Sequence, residues 1–187
     1  MDDSIRFNTY SDESGQDTDG KIIYVCTICI DAGHLEYVSA LLQGIESKSK
    51  KYKKWYQSSN SRRESYCNYL LSSDFFRYVS VYCSLYENKK DFTSLIGSHI
   101  TKSIINYTSG KGYKVKIFID KMDKKSLERI KQEIKEYRIS YKFIKGIKDE
   151  NSELIRFVDA MCGMFRDKEK KSSTYAYKKI FSRSVRI

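Results

Sequence analysis

The chain contains no proline, so no rigid proline-marked linker divides it, and no internal repeat or low-complexity tract does so either. No apolar run approaches the ~18 residues that suggest a membrane span. The start, Met-Asp-Asp-Ser, lacks the basic residues and apolar core of an export signal, so a cytoplasmic protein is expected. Histidine is almost missing: His34 and His99 are the two present. Neither has a nucleophile nearby in sequence, and both are left without a role. The five cysteines, an odd number, are expected as reduced thiols. Cys26 and Cys29 form a CxxC inside a strand-like run. An odd spacing sends such side chains to opposite faces of a strand, and no second CxxC or histidine pair completes a zinc site.

What the chain does have is length and charge. Its 187 residues, 40% hydrophobic and 32% charged, suit one globular domain with a sheet covered on both faces. The formal charge is +11, and the excess is localised. Residues 48–63 carry Lys48, Lys50, Lys51, Lys53, Lys54, Arg62 and Arg63 without an acid, and residues 166–187 carry eight basic residues against Asp167 and Glu169. Aromatics interleave with the cations: Tyr52, Trp55 and Tyr56 in the first segment, Tyr175, Tyr177 and Phe181 in the second. Cations for phosphates beside rings for base stacking are the equipment of a nucleic-acid-binding surface. A solvated basic face with rings anchored in the core explains the same pattern.

Periodicity orders the elements. Ile5, Phe7 and Thr9 alternate with Arg6, Asn8 and Tyr10, which reads as a strand ending in a turn at Asp12 and Glu13. A second, antiparallel strand is expected over 21–31, then a helix from residue 33 with Leu35, Val38, Leu41, Leu42 and Ile45 on one face. Ser61 and Glu64 have capping-box spacing for a second helix to residue 72. Residues 75–86 read as a buried strand, and Asp91 starts a helix ending near 109–110. Residues 114–120 alternate into a strand ending at Asp120, and Asp123 caps the next helix. A strand over 139–147 completes a parallel strand-helix-strand unit. The last helix, residues 152–166, is apolar nearly all round and is interrupted by Asp159. A buried aspartate must be paired, hydrogen-bonded or on a metal, and Arg156 at helical spacing is its obvious local partner.

Asp12, Asp120 and Asp159 therefore stand out by position. Strand carboxyl ends line the ligand crevice of an open α/β sheet, so a first strand parallel to the 114–120 strand would bring Asp12 and Asp120 together. Glu13, Asp149 and Glu150 could add oxygens, and oxygen-only ligands suit Mg2+ or Mn2+. Ordinary turn chemistry accounts for Asp12 and Glu13 equally well when that stretch is taken alone.

The Asp12-Glu13-Ser14-Gly15 turn, the strand ending Phe118-Ile119-Asp120 and the helix running from Ser152 through Asp159 to Gly163 resemble, in that order, three signature blocks of an uncharacterised bacterial and phage family. That family has an N-terminal DESG motif and is related to the ribonuclease H-like superfamily. The resemblance implies an α/β, ribonuclease H-like fold with a mixed five-stranded sheet flanked by helices, and Asp12, Asp120 and Asp159 in acidic active-site positions. The family's last block commonly has glutamine where this chain has Arg156. The expected organisation is a domain over 1–167, with a basic helical insertion at about 33–73, and a basic tail over 168–187.

The expected function is metal-dependent hydrolysis of phosphodiester bonds in DNA or RNA by a two-metal mechanism, in a phage-defence or mobile-element setting. Catalysis falls to Asp12, Asp120 and Asp159, which with Glu13 as a lesser ligand hold Mg2+ or Mn2+. Nucleic acid is assigned to Lys50, Lys51, Lys53, Lys54, Arg62, Arg63, Lys170, Lys171, Lys178 and Lys179, with Trp55 as stacking platform and Lys121 at the scissile phosphate. The alternatives are a non-catalytic nucleic-acid- or protein-binding module on the same scaffold and a phosphohydrolase of small nucleotides. A protein partner or homodimer is compatible with all three, and a membrane partner is not expected.

Overall fold

The computed structural model describes residues 4–15, 22–87, 91–169 and 175–187. Two strands set its centre: β1 (Ile5–Ser14) and β2 (Ile23–Asp31) pair antiparallel, Asp12 opposite Cys26. β1 does not turn at Asp12, as its alternation alone suggested, but stays extended through Ser14. Gly15 follows with φ +106°, where a Cβ would stand 2.6 Å from the Ile22 carbonyl oxygen. Only glycine fits this exit from the strand.

After β2 come α1 (Leu35–Ser49), α2 (Asn60–Ser72) and the short α3 (Phe75–Tyr78), then β3 (Val79–Tyr86). Ser59, not Ser61, caps α2 by accepting from the Arg62 amide. The aromatic run at 75–78 is helical where a strand was expected. It is the fold's turn into β3, with Phe75 anchored against Phe157, ring centroids 4.6 Å apart. The chain continues through α4 (Phe92–Thr108), β4 (Tyr113–Asp120), α5 (Lys124–Glu136) and β5 (Phe143–Ile147). It ends with α6 (Glu153–Glu169), α7 (Tyr175–Phe181) and β6 (Val185–Arg186). Asp91 and Asp123 cap α4 and α5 as their positions predict.

The strand order is β5-β4-β1-β2-β3-β6. β1 is parallel to β4, and β4 to β5. The sheet is thus mixed, with the five expected strands and a two-residue sixth beside β3. Burial on both faces follows from the alternation in β2. Ile23, Val25 and Cys29 enter the core under α4 and α5, while Tyr24, Cys26, Ile28 and Ile30 enter the core under α1, α2, α6 and α7. The two sulfurs of the CxxC lie in different cores, as its spacing requires, and all five cysteines are free thiols. Ala176, Tyr177, Ile180 and Phe181 of α7 belong to the second core. The described end of the chain is therefore folded onto the domain, where a separate basic tail was expected. Among the described residues no helix is long and apolar enough to cross a membrane.

Candidate active site

Three elements meet at the carboxyl ends of β1 and β4. In β1, Phe7 points into the core under α4 and α5, so Asn8, Tyr10 and Asp12 face α6. In β4, Val115, Ile117 and Ile119 take the first core, leaving Lys114, Lys116, Phe118 and Asp120 on the α6 side. Parallel pairing runs to Ser11 opposite Ile119, so Asp12 and Asp120 are the next positions on adjoining strands, which lie ~4.8 Å apart. α6 supplies Asp159 from above. Its position is pinned by the Cys162 thiol, which donates to the Asp12 carbonyl oxygen at 3.2 Å, and by Arg166, which donates to Ser14 Oγ at 3.0 Å.

The local partner expected for Asp159 is taken elsewhere. Arg156 makes a forked pair with Glu46 on α1, Nε to Oε1 and Nη2 to Oε2, both 2.7 Å. Glu46 is 2% exposed, so this bidentate pair is internal and rigid. Asp159 instead accepts from the Trp55 backbone amide at 2.6 Å.

The segment following α1 explains that contact. Lys50, in the left-handed region at φ 55°, ends α1 and turns the chain inward. Lys51 and Trp55 are then fully buried. The Lys51 ammonium sits 4.8 Å from the Tyr66 ring centroid and donates to the Lys53 carbonyl oxygen at 3.2 Å. The Trp55 indole packs against α6 at Gly163, where any Cβ would come within 2.2 Å of the ring. Its Nε1 donates to Asp167 at 2.8 Å, and Arg63 donates from Nε to the Trp55 carbonyl oxygen at 2.8 Å.

The reading of Trp55 as a stacking platform and of Lys51 as a phosphate contact is corrected accordingly: both are core residues. Arg63 is largely spent on Trp55 and Asp167, with Nη1 3.3 Å from the Asp167 carboxylate. Lys50, Lys53, Arg62, Lys121, Lys178 and Lys179 are exposed, whereas Lys170 and Lys171 lie outside the described residues.

Lys54 brings the charge of this segment to the acids. Its Nζ is 3.2 Å from Asp120 Oδ2. Burial alone would lower the lysine pKa, but attraction to Asp120 and Asp12, the hydrogen bond to Asp120 and attraction to Asp149 outweigh it and raise the pKa. Asp120 Oδ1 accepts from the Lys121 amide at 2.8 Å.

Asp12 is 4% exposed. Burial pushes its carboxyl well above the usual range, and the charges of Glu13, Asp159 and Asp120 push it further against the single opposing hydrogen bond from the Glu13 amide. The Asp159 carboxyl is also raised by burial, with the Trp55 amide, Lys51 and Lys54 opposing and Asp120 adding to the rise. Glu13 leaves the opposite face of β1 by strand alternation. His99, left without a role, is a core residue whose pKa burial lowers to about 3. It is held between the Tyr82 carbonyl oxygen and the Tyr86 hydroxyl at 3.3 and 3.4 Å.

The chemistry of this arrangement is that of an oxygen-only site short of positive charge. Among the described residues no three Asp, Glu, His or Cys side chains converge closely enough to hold one ion as they stand. The three aspartates nevertheless repel one another and lie on one side of the sheet. Carboxylates raised by burial and mutual repulsion are the groups a hard divalent cation would relieve, so the residues present fit Mg2+ or Mn2+.

Local sequence did not reveal Glu46 as part of this site, nor the contacts of Trp55 with Asp159 and Gly163, because the partners lie over a hundred residues away. Gly163 was the one available signal, a glycine inside an otherwise apolar helix.

No protein-family model matches the chain, and no curated protein does. Solved structures do. A chain of the PCNA:RNase HII complex from Archaeoglobus fulgidus matches with a TM-score of 0.59 at 15% identity, over 88% of this chain and 73% of that one. Ribonuclease H2 from Pyrococcus horikoshii OT3 matches with a TM-score of 0.51 at 16% identity, over 88% and 74%. Bst-RNase HIII in complex with Mn2+ matches with a TM-score of 0.52 at 15% identity, and there this chain spans 90% of itself but 55% of that protein. Layers, mixed sheet and these likenesses agree: the chain has a ribonuclease H-like α/β fold.

Proposed function

We propose that the protein is a divalent-metal-dependent nuclease of the ribonuclease H type, hydrolysing phosphodiester bonds of DNA or RNA. The observation that carries this reading is the meeting of Asp12 and Asp120, on adjoining parallel strand ends, with Asp159 on the helix above. The three are close enough in charge that Asp120 and Asp159 raise Asp12. The fold likeness supports it, as does the Mn2+ complex of Bst-RNase HIII. Asp12, Asp120 and Asp159 would hold Mg2+ or Mn2+; Glu13, expected as a lesser ligand, is turned to the other face of β1, which stays extended through Ser14, and is not among them. Bound there in a pair, such ions would supply an activated water and charge stabilisation at the leaving oxygen.

The chain's own groups do the rest. The Trp55 amide fixes one oxygen of Asp159, and Lys54 holds Asp120 and keeps the cluster's charge in check until a cation arrives. Lys121 is the cation next in line to the phosphate beyond Asp120. Lys50, Lys53 and Arg62, with Lys178 and Lys179, are the exposed charges that would grip the backbone. The resemblance to a bacterial and phage family supports phage defence or a mobile element as the setting.

The test is incubation of labelled single-stranded, duplex and hybrid substrates with Mg2+ or Mn2+, beside the Asp120→Asn protein. Cleavage by the wild type and binding without cleavage by the variant are expected. Intact substrates throughout would transfer the reading to a non-catalytic binding module. The Lys54 to Asp120 ion pair, which offsets part of the site's negative charge from within the chain, is the observation that favours that second reading.

A further inference from the structure

The segment between α1 and α2 divides its side chains sharply. Lys51 and Trp55 are buried, while Tyr52, Lys53 and Tyr56 are exposed. Tyr56 and Tyr52, 62% and 56% exposed, are the two most exposed large hydrophobic side chains among the described residues. The nearby rings of Trp55 and Tyr66 are covered by Arg63 and Lys51. Among the described residues no ring or cation covers Tyr52 or Tyr56, and the Tyr56 hydroxyl, at the ring's edge, accepts from Gln57 Nε2 at 3.0 Å.

These two rings flank the chain's contacts with the candidate acids. Between them lie Lys54, with Nζ 3.2 Å from Asp120 Oδ2, and Trp55, whose amide donates to Asp159 at 2.6 Å. With ~3.8 Å between consecutive Cα atoms, Tyr52 stands within ~8 Å of Lys54 and Tyr56 ~4 Å from Trp55. The backbone that carries them is held in place. Lys51 Nζ donates to the Lys53 carbonyl oxygen at 3.2 Å, Ser58 Oγ donates to the Lys54 carbonyl oxygen at 3.1 Å, and Trp55 is wedged against Gly163. A ring on a fixed segment loses little freedom when a ligand stacks on it.

We propose that Tyr52 and Tyr56 form a stacking platform for unpaired bases, so that the polynucleotide taken by the neighbouring acids is single-stranded. The rings offer faces, and the face of a base is available only when the base is out of a duplex stack. Charge complementarity supports the same occupant. Residues 47–63 hold seven cations and no acid, and Lys50, Lys53 and Arg62 among them are exposed for the phosphates of the strand. The proposal rests on the nuclease reading for the place of the cut, but the platform itself is a binding site and is tested without catalysis.

The experiment compares the wild type, the Tyr52→Leu/Tyr56→Leu protein, the Tyr52→Phe/Tyr56→Phe protein and a Tyr137→Leu control. Tyr137 is 48% exposed at the end of α5, which covers the other face of the sheet. Affinities for a labelled single strand and for the matching duplex are measured against salt concentration with divalent ions removed. Base–aromatic stacking is worth about fivefold in affinity per ring at the low end of its range. The leucine variant should therefore bind the single strand at least about thirtyfold more weakly, with an unchanged slope of log K against log salt, because no charge has been removed. Its duplex affinity should change by less than about twofold, and the phenylalanine variant and the control should match the wild type. Melting curves confirm that each variant is folded. Undiminished single-strand binding by the leucine variant, an equal loss on the duplex, an equal loss in the phenylalanine variant or the control, or no single-strand binding by the wild type would each overturn the platform. Single-strand affinity that depends on the two tyrosines, without any cleavage when Mg2+ or Mn2+ is supplied, would sink the nuclease reading and leave the platform standing.

Discussion

Replacing Gly163 with alanine sets two effects of opposite sign against each other at the candidate site. A methyl at 163 would stand 2.2, 2.4 and 2.7 Å from Trp55 Cδ1, Cγ and Cβ. Overpacking a filled core costs about 1–3 kcal/mol, and here the upper part of that range applies, because the nearest atoms include the Cβ and cannot swing away without the backbone. Alanine returns ~1 kcal/mol of helix preference over glycine. The clash wins by about 2 kcal/mol, which for a chain of this size lowers the melting temperature by ~4–8 °C. Trp55 is the sole tryptophan and is 1% exposed, so its fluorescence reports the same event: emission should move to the red as the indole is expelled. The Trp55 amide would leave Asp159 with it, and the Mn2+ concentration needed for half-maximal cleavage should rise. An alanine variant that melts at or above the wild-type temperature with unmoved emission would refute the wedging of Trp55 against α6.

The raised carboxyl of Asp12 makes a signed pH prediction: the folded state holds this proton more tightly than the unfolded chain, so the metal-free protein loses stability as pH rises from ~3.8 through the folded pKa, and Asp12→Asn should melt higher than the wild type at neutral pH. His99 pulls the other way, losing stability as pH falls from ~6.5 toward its folded value of about 3, so in thermal melts across pH Asp12→Asn should lessen the loss on raising pH and leave the acid-side loss in place. Removing the competing ammonium by Lys54→Met should tighten Mn2+ binding about fivefold in calorimetry, since a pair at 3.2 Å with the lysine a third exposed is worth ~1 kcal/mol after screening. Equal or weaker binding would show that Lys54 does not compete with metal. Glu46→Gln should cost ~3–5 kcal/mol by stranding Arg156, and Glu46→Leu with Arg156→Met should recover most of it, as read by urea denaturation. Deleting residues from 168 onward is expected to unfold the domain, because Ala176, Tyr177, Ile180 and Phe181 lie in its core.

Periodicity and caps carried the strands, the helices and the placing of Asp12 and Asp120, because those features are local. A two-residue period says which side of β1 each residue takes, and Asp91 and Asp123 declare the helices they cap. The burial of Lys51 and Trp55 was not legible. A run of cations reads as surface until Gly163, over a hundred residues on, opens a notch for the indole. Arg156 looked like the partner of Asp159 because helical spacing is visible and Glu46 on another helix is not. Residues 75–78 are aromatic enough for a strand, and only the packing of Phe75 on Phe157 makes them a turn of helix.

The position of β1 between a parallel and an antiparallel neighbour has an implication for how this protein can change. An insertion of one residue between Asn8 and Asp12 would invert the parity of everything beyond it, sending Asp12 to the wrong side of the sheet and Glu13 to the right one. An insertion of two would preserve parity but slide the acid past Asp120 unless β4 lengthened in step. The place of the carboxylate is thus tied to the count of residues along β1 and to the length of β4 beside it.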